Sequence, residues 1–212
     1  MNLHTQAFVL TGGAGAIEAL RDDPHLPAGA APRGVAVIAH PHPLFGGAMN
    51  NKVVQTLARS FVQCGWSAVR FNFRGVGASA GEHDHGQGEA ADMLAVVNQV
   101  AAAGVPLALA GFSFGAFVAS QAVVSLWPQR PAEKIVLIGT AASRFAVPPL
   151  PHEAHDRTLV VHGEADDTVP LASVMDWARP QMLPVTVVPG VEHFFHGQLT
   201  LLKHLVVRHL NA

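Results

Sequence analysis

A chain of 212 residues that is 50% hydrophobic and 13% charged commits much of its length to a buried core, which excludes a disordered or highly charged solvated chain. Its formal net charge of -2 gives no excess of positive charge for nucleic acid or an anionic membrane, and no apolar run approaches the ~20 residues of a membrane span. The single Cys64 excludes an internal disulfide, and the sequence opens without a basic and then apolar leader, so the expected compartment is the cytoplasm. Thirteen histidines are scattered, and most are expected in solvent.

Residues 5–10 and 15–21, parted by Gly12-Gly13, predict two antiparallel strands at a sheet edge. A Pro-, Gly- and Ala-rich loop at 24–33 leads into an all-apolar strand at 34–39. The strand runs into His40-Pro41-His42-Pro43-Leu44-Phe45-Gly46-Gly47, too unusual a loop for a mere connector. A helix follows with Val53, Val54, Leu57, Ala58 and Phe61 on one face and Gly65 as its stop; Cys64, next to that face, reads as an inert buried thiol. Residues 67–73 predict a strand and 74–79 a loop. No Gly-Lys-Ser/Thr follows the glycines of 75–81, so this is not a phosphate loop.

A second helix is expected from Gly88-Glu89, where a carboxylate meets the helix dipole, to Gly104, with Met93, Val96, Val97 and Val100 inward. Arg74 should brace the His-Pro loop, or this helix through Glu89 or Asp92. His83-Asp84-His85 reads as a solvated loop, and His40, His42, His83 and His85 are not expected to bind metal.

Residues 107–110 have no polar face and predict a strand buried on both sides; the alanine-rich stretch 116–126 predicts a helix packed deep in the fold. Between them, Gly111-Phe112-Ser113-Phe114-Gly115 must turn a strand into a helix within a few residues. Glycines two positions either side of Ser113 remove side chains that would clash, and the serine is held in a strained corner with its hydroxyl above the sheet. Strands are expected at 134–139 and 158–162. The intervening 140–157, with Pro148, Pro149 and Pro151, leaves no room for a lid domain. A helix within 171–182, a strand at 185–188 and a last helix at about 198–210 complete the chain. Alternating helices and apolar strands predict one α/β domain over 1–212, a mostly parallel twisted sheet with helices on both faces and no lid domain.

In an open α/β sheet functional groups collect at the carboxyl ends of the strands. Here those ends carry Ser113, then His162-Gly163-Glu164-Ala165-Asp166-Asp167, then Glu192-His193-Phe194-Phe195-His196-Gly197, giving the chain order Ser, Asp, His. A serine hydroxyl needs an imidazole to take its proton and a carboxylate to orient and stabilise that imidazole. These stretches, with His40-Pro41-His42-Pro43 and Phe73-Arg74-Gly75-Val76-Gly77-Ala78-Ser79, resemble the α/β-hydrolase superfamily. The likeness is to small, lidless bacterial serine hydrolases with a His-Pro-His-Pro-x-x-Gly-Gly loop, and it covers nearly the whole chain.

The resemblance implies Ser113 as nucleophile, Asp166 as acid and His193 as base; spacing favours these over the neighbouring Asp167 and His196. An oxyanion hole needs two main-chain N–H groups. Phe114, directly after the nucleophile, should supply one. Between Pro41 and Pro43 only His42 can supply the other, and the parallel with the His-Gly-x-Pro loop of epoxide hydrolases implies a cis His42–Pro43 bond. The expected function is a carboxylesterase-like serine hydrolase acting through an acyl-enzyme on small or exposed esters or thioesters. No cofactor or metal is expected. The expected partner is a small-molecule substrate, with no nucleic acid and no membrane, and the expected state is a monomer or homodimer. The cleft should be open, walled at most by Phe45, Phe145, Phe194 or Phe195. Acyl transfer or perhydrolysis on the same triad, and a hydrolase fold used as a non-catalytic binding module, are the alternatives.

Overall fold

Strands that are apolar at every position have to be covered on both sides, and the sheet is built accordingly. A computed structural model describes residues 5–212. The elements in chain order are β1 (Thr5–Gly12), β2 (Gly15–Asp22), β3 (Val35–Ala39), α1 (Lys52–Gln63), β4 (Ser67–Phe71), α2 (Gln87–Val100), β5 (Leu107–Phe112) and α3 (Phe114–Leu126), then β6 (Lys134–Ile138), β7 (Thr158–Gly163), α4 (Leu171–Ala178), β8 (Val185–Val188) and α5 (Leu199–Asn211). They form an eight-stranded sheet in the order β1-β2-β4-β3-β5-β6-β7-β8. The β1-β2 hairpin is antiparallel and β2 joins β4 antiparallel; the pairings from β4 to β8 are all parallel. None of the described helices is long and apolar enough to cross a membrane.

The two faces can be read residue by residue. Val35, Val37 and Ala39 point into one core layer with Met93, Val96 and Val97 of α2 and Val118 and Ala122 of α3. Ala36 and Ile38 point into the other, with Leu57 and Phe61 of α1 and Leu202 and Val206 of α5. The order reverses at β3: the chain goes from β3 outward to β4, then crosses back to β5 on β3's other side. The crevice at the carboxyl ends of β3 and β5 is therefore the natural place for a site.

Most expected elements are present with shifted ends. The strand expected at 67–73 stops at Phe71; by Phe73 the main-chain N–H donates to the His40 ring Nε2 at 3.0 Å and not to a strand carbonyl. Helix α2 stops at Val100 rather than Gly104, its end closed by Arg130 donating to the carbonyls of Ala101 and Ala102. At its start Glu89, 0% exposed, accepts from the N–H groups of Gly86 (2.8 Å) and Asp84 (2.9 Å). Arg74 braces this helix through Asp92, with two bonds of 2.8 and 2.9 Å, and not through the His-Pro loop. Such a paired fork on a buried carboxylate fixes angle as well as distance. Between β6 and β7 the chain holds only irregular structure and a short 3₁₀ turn, His152–Arg157, so nothing is inserted over the sheet.

Candidate active site

Ser113 sits between β5 and α3 with φ 58°, a left-handed conformation that costs a non-glycine residue about 1–3 kcal/mol. The turn is held by the Ser113 N–H donating to the Ile138 carbonyl at 2.8 Å. Both flanking glycines are required by close approach. A Cβ on Gly111 would lie 2.1 Å from the Gly115 carbonyl oxygen, and one on Gly115 would lie 2.4 Å from that of Ala39. The tight corner thus lays the start of α3 directly on the end of β3 and leaves the serine 7% exposed.

Two other strand ends bring the remaining groups to the hydroxyl. The loops after β7 and β8 are laced by Glu164 N–H to the Val188 carbonyl (2.9 Å) and Ala165 N–H to the Val191 carbonyl (3.0 Å). Asp166 uses its oxygens separately. Oδ1 accepts from the N–H groups of Thr168 (3.0 Å) and Val169 (2.7 Å), and Oδ2 accepts from His193 Nδ1 at 2.6 Å. That bond places the proton on Nδ1, so Nε2 is left to accept from the Ser113 hydroxyl at 3.0 Å. Burial pushes the Asp166 carboxyl up, but the bonds from His193 and Val169 and the nearby His193 and His162 rings outweigh it, and the net shift is downward. The carboxylate is therefore the resident form. His193 packs between Phe112 (4.9 Å) and Phe194 (5.1 Å).

Asp167 and His196 are left outside this chain. Asp167 is exposed and, among the described residues, accepts only from the Thr168 hydroxyl at 3.3 Å, and His196 is exposed and pairs with Glu192. His162, in sequence only a spacing mark for Asp166, has a structural role of its own. This fully buried ring has Nε2 2.9 Å from the Val169 carbonyl and 3.4 Å from Asp166 Oδ2. It thus holds the turn that carries the carboxylate.

The His-Pro loop is clamped by its first residue. His40 Nδ1–H donates to the Pro41 carbonyl at 2.6 Å, and Nε2 accepts from the Phe73 N–H at 3.0 Å. The Nε2 bond needs the neutral ring, and burial lowers its pKa to about 4 against the pull of the Pro41 bond. The loop closes on itself through Gly47 N–H to the His42 carbonyl at 3.0 Å. The His42–Pro43 bond is not the expected cis form; the cis bond among the described residues is Trp127–Pro128. His42 adopts φ -55° and ψ 124°, the extended state favoured before proline, and the loop closes with the ordinary trans bond. The main-chain N–H groups of His42 and Phe114 donate to no other group among the described residues, and both residues line the same cavity as Ser113.

Two expectations about exposure are corrected. The 83–85 loop is not simply solvated: the His83 side chain is nearly buried, its ring tilted against those of His42 (4.7 Å) and Phe114 (5.4 Å), with Nδ1 2.8 Å from Glu89. Of the twelve described histidines only five (His25, His85, His152, His196 and His204) are exposed; His40, His162 and His193 are buried and the other four partly so. Among the described residues no group of His, Cys, Asp and Glu is arranged to hold a metal ion. Cys64 is partly buried, and burial raises its thiol pKa.

The neutral state of His40 has a measurable consequence. Its folded pKa lies below the ordinary value of 6.5, so between pH 6.5 and about 4 the unfolded chain binds a proton that the folded chain does not. Stability should fall as pH drops through that window, by about 1.4 kcal/mol per unit from this group. Urea unfolding should show a clearly lower midpoint at pH 5 than at pH 7; equal midpoints would contradict the clamp.

Above Ser113 lies a cavity of about 380 Å³, open to solvent, whose lining includes Phe45, Phe145, Phe194, Val169 and Arg144 with His42, Phe114 and His193. Phe195 is not a wall of it: φ 55° at this residue turns the ring into the core beneath, 1% exposed.

The Hydrolase_4 family model, described as serine aminopeptidase, S33, matches residues 30–151. The chain belongs to this family of α/β serine hydrolases. The hydrolase is similar over its whole length to XC6422 from Xanthomonas campestris, an α/β serine hydrolase without lid, at 36% identity and TM-score 0.86, covering 95% of that chain. An α/β serine hydrolase homologue from Coxiella burnetii is 36% identical with TM-score 0.80, covering 97% of each chain. The uncharacterized protein RP471 of Rickettsia prowazekii is 44% identical over 96 residues. That match spans 42% of this hydrolase and 39% of the relative, so the chain covers about two fifths of that relative's length.

Proposed function

We propose that the chain is a carboxylesterase-type serine hydrolase in which Ser113, His193 and Asp166 form the catalytic triad. The observation that carries this reading is the unbroken hydrogen-bonded chain from the Ser113 hydroxyl through His193 (3.0 Å) to Asp166 (2.6 Å) at the foot of the cavity. His193 Nε2 takes the hydroxyl proton as Ser113 attacks the ester carbonyl, and Asp166 stabilises the imidazolium that results. The oxygen, now negative, is held by the N–H groups of Phe114 and His42. His193 then protonates the leaving alcohol, and the same base activates water to release the acid and free Ser113.

The family model's description raises a second reading, an aminopeptidase. Such an enzyme has to hold the α-ammonium group of its substrate, for which a carboxylate is the natural partner. The cavity wall supplies none, and its charged member is Arg144. Asp166, behind His193, has both oxygens occupied. Esters are therefore the better-supported substrates.

The open cavity limits what an acyl chain can gain. Each buried methylene contributes about 0.8 kcal/mol, but only while there is wall to bury it. For p-nitrophenyl esters kcat/KM should peak at short acyl chains and decline at long ones, without activation at a lipid interface. Aminoacyl p-nitroanilides with a free α-amino group should react far more slowly than any short ester. An optimum at ten or more acyl carbons, or preference for the aminoacyl anilides, would overturn this reading.

A further inference from the structure

The cavity over Ser113 carries charge of one sign, on an exposed arginine with no partner among the described residues. Arg21, Arg70, Arg74 and Arg179 each pair with a carboxylate. Arg144 lines the cavity and makes no ion pair or side-chain hydrogen bond among the described residues. The nearby acids are committed elsewhere: Glu89 is buried against two N–H groups and His83, and Glu192 pairs with His196. Asp167 does not reach the lining.

A second donor lines the same cavity. His42 Nδ1 accepts from the Leu44 N–H at 3.2 Å, so the neutral ring carries its proton on Nε2, which no described residue accepts. The ring lies against Phe45 (4.8 Å) and Phe145 (5.9 Å), the residue after Arg144. Burial, then the nearby His83, and also the Arg144 guanidinium hold the His42 pKa down, while Glu89 acts in the opposite sense. Arg144 and His42 line the same cavity, and the imidazole remains a neutral donor at pH 7.

We propose that Arg144, assisted by the Nε2–H of His42, binds a carboxylate carried by the substrate, so that the hydrolase prefers short esters or thioesters bearing one carboxylate over neutral ones of the same size. This rests on the esterase reading above. A planar guanidinium fork matches a planar carboxylate, and one fixed positive charge balances one negative charge, whereas a phosphate dianion would be left half compensated. Phe45, Phe145 and Phe194 supply apolar wall for the few carbons between ester and carboxylate.

The test is a ratio, which does not depend on the fraction of active enzyme. kcat/KM is measured for the p-nitrophenyl monoester of glutaric acid against p-nitrophenyl valerate, and for 4-carboxyphenyl valerate against phenyl valerate. The first pair puts the carboxylate on the acyl side and the second on the leaving group. In at least one pair the anionic-to-neutral ratio should fall about tenfold in R144Q, fall further in R144E and be only partly retained in R144K, which keeps the charge and loses the fork. The wild-type ratio should also decline as salt rises from about 0.05 to 0.5 M. Ratios equal in all four proteins on both pairs would overturn the proposal. If instead valerate ester hydrolysis survives Ser113→Ala, the triad reading is what fails. The anion site is then read by saturation-transfer NMR of monomethyl glutarate on the Ser113→Ala protein. Binding lost on adding R144Q supports the site, and binding unaffected by it overturns the site.

Discussion

Ser113→Ala should fold normally and lose nearly all ester hydrolysis, with kcat/KM for p-nitrophenyl acetate down by about 10⁴- to 10⁶-fold. The change removes one hydroxyl and its 3.0 Å bond to His193 and leaves the corner otherwise intact, because alanine meets the same left-handed conformation that serine does. Stability should therefore move by no more than about 1 kcal/mol. What catalysis remains would come from the N–H groups of His42 and Phe114 polarising a bound carbonyl. The check is a steady-state assay beside a thermal melt. A variant that keeps a tenth or more of wild-type kcat/KM would remove Ser113 from the mechanism.

Asp166→Asn should be nearly as damaging, and the geometry says why. Oδ1 of Asp166 is fixed by two main-chain donors, the N–H groups of Thr168 and Val169. An asparagine in this position must keep its oxygen there and point its NH₂ at His193. Nδ1 then has to accept, which forces the proton onto Nε2 and presents a donor to the serine oxygen where an acceptor is required. A loss of about 10⁴-fold in kcat/KM is expected, with the fold retained. Asp167→Asn, one residue along and exposed, should change kcat/KM by less than about twofold. If the two variants behaved alike, Asp166 would not be the orienting carboxylate.

The contrast between these neighbours shows how far the sequence could be read. Asp166 was favoured over Asp167 by its spacing from His162-Gly163, and the spacing works because an Asx-type turn seats one carboxylate on the amides two and three residues ahead. The parallel strands were legible for a similar local reason: Val35 to Ala39 and Leu107 to Ala110 are apolar without alternation, which only a doubly covered strand allows. The glycines around Ser113 were legible because close approach leaves them no substitute.

What could not be read depends on contacts distant in sequence. His83 looked solvated because its shelter comes from His42 and Phe114, some 30 to 40 residues away along the chain. Phe194 and Phe195 are chemically alike, and only the left-handed turn at the second sends its ring into the core while the first stays at the cavity. The cis assignment at His42–Pro43 came from a parallel loop with glycine before the histidine position; here Pro41, the His40 clamp and the Gly47 bond shape the loop around a trans bond. His162 entered only as a spacing mark for Asp166, and Arg144 carried no signal of its own. One is a buried ring defined by the turn it holds, the other a cation defined by the partner it lacks.

The most direct test of the central claim is covalent. A fluorophosphonate ester reacts with a serine only when a base removes its proton as the phosphorus is attacked, so the adduct marks the activated nucleophile. Treatment of the wild-type protein followed by peptide mass mapping should place one adduct on Ser113, with parallel loss of esterase activity, and labelling should be strongly reduced in His193→Ala. Active ester hydrolysis with no adduct at Ser113, or with the adduct on another residue, would contradict the account.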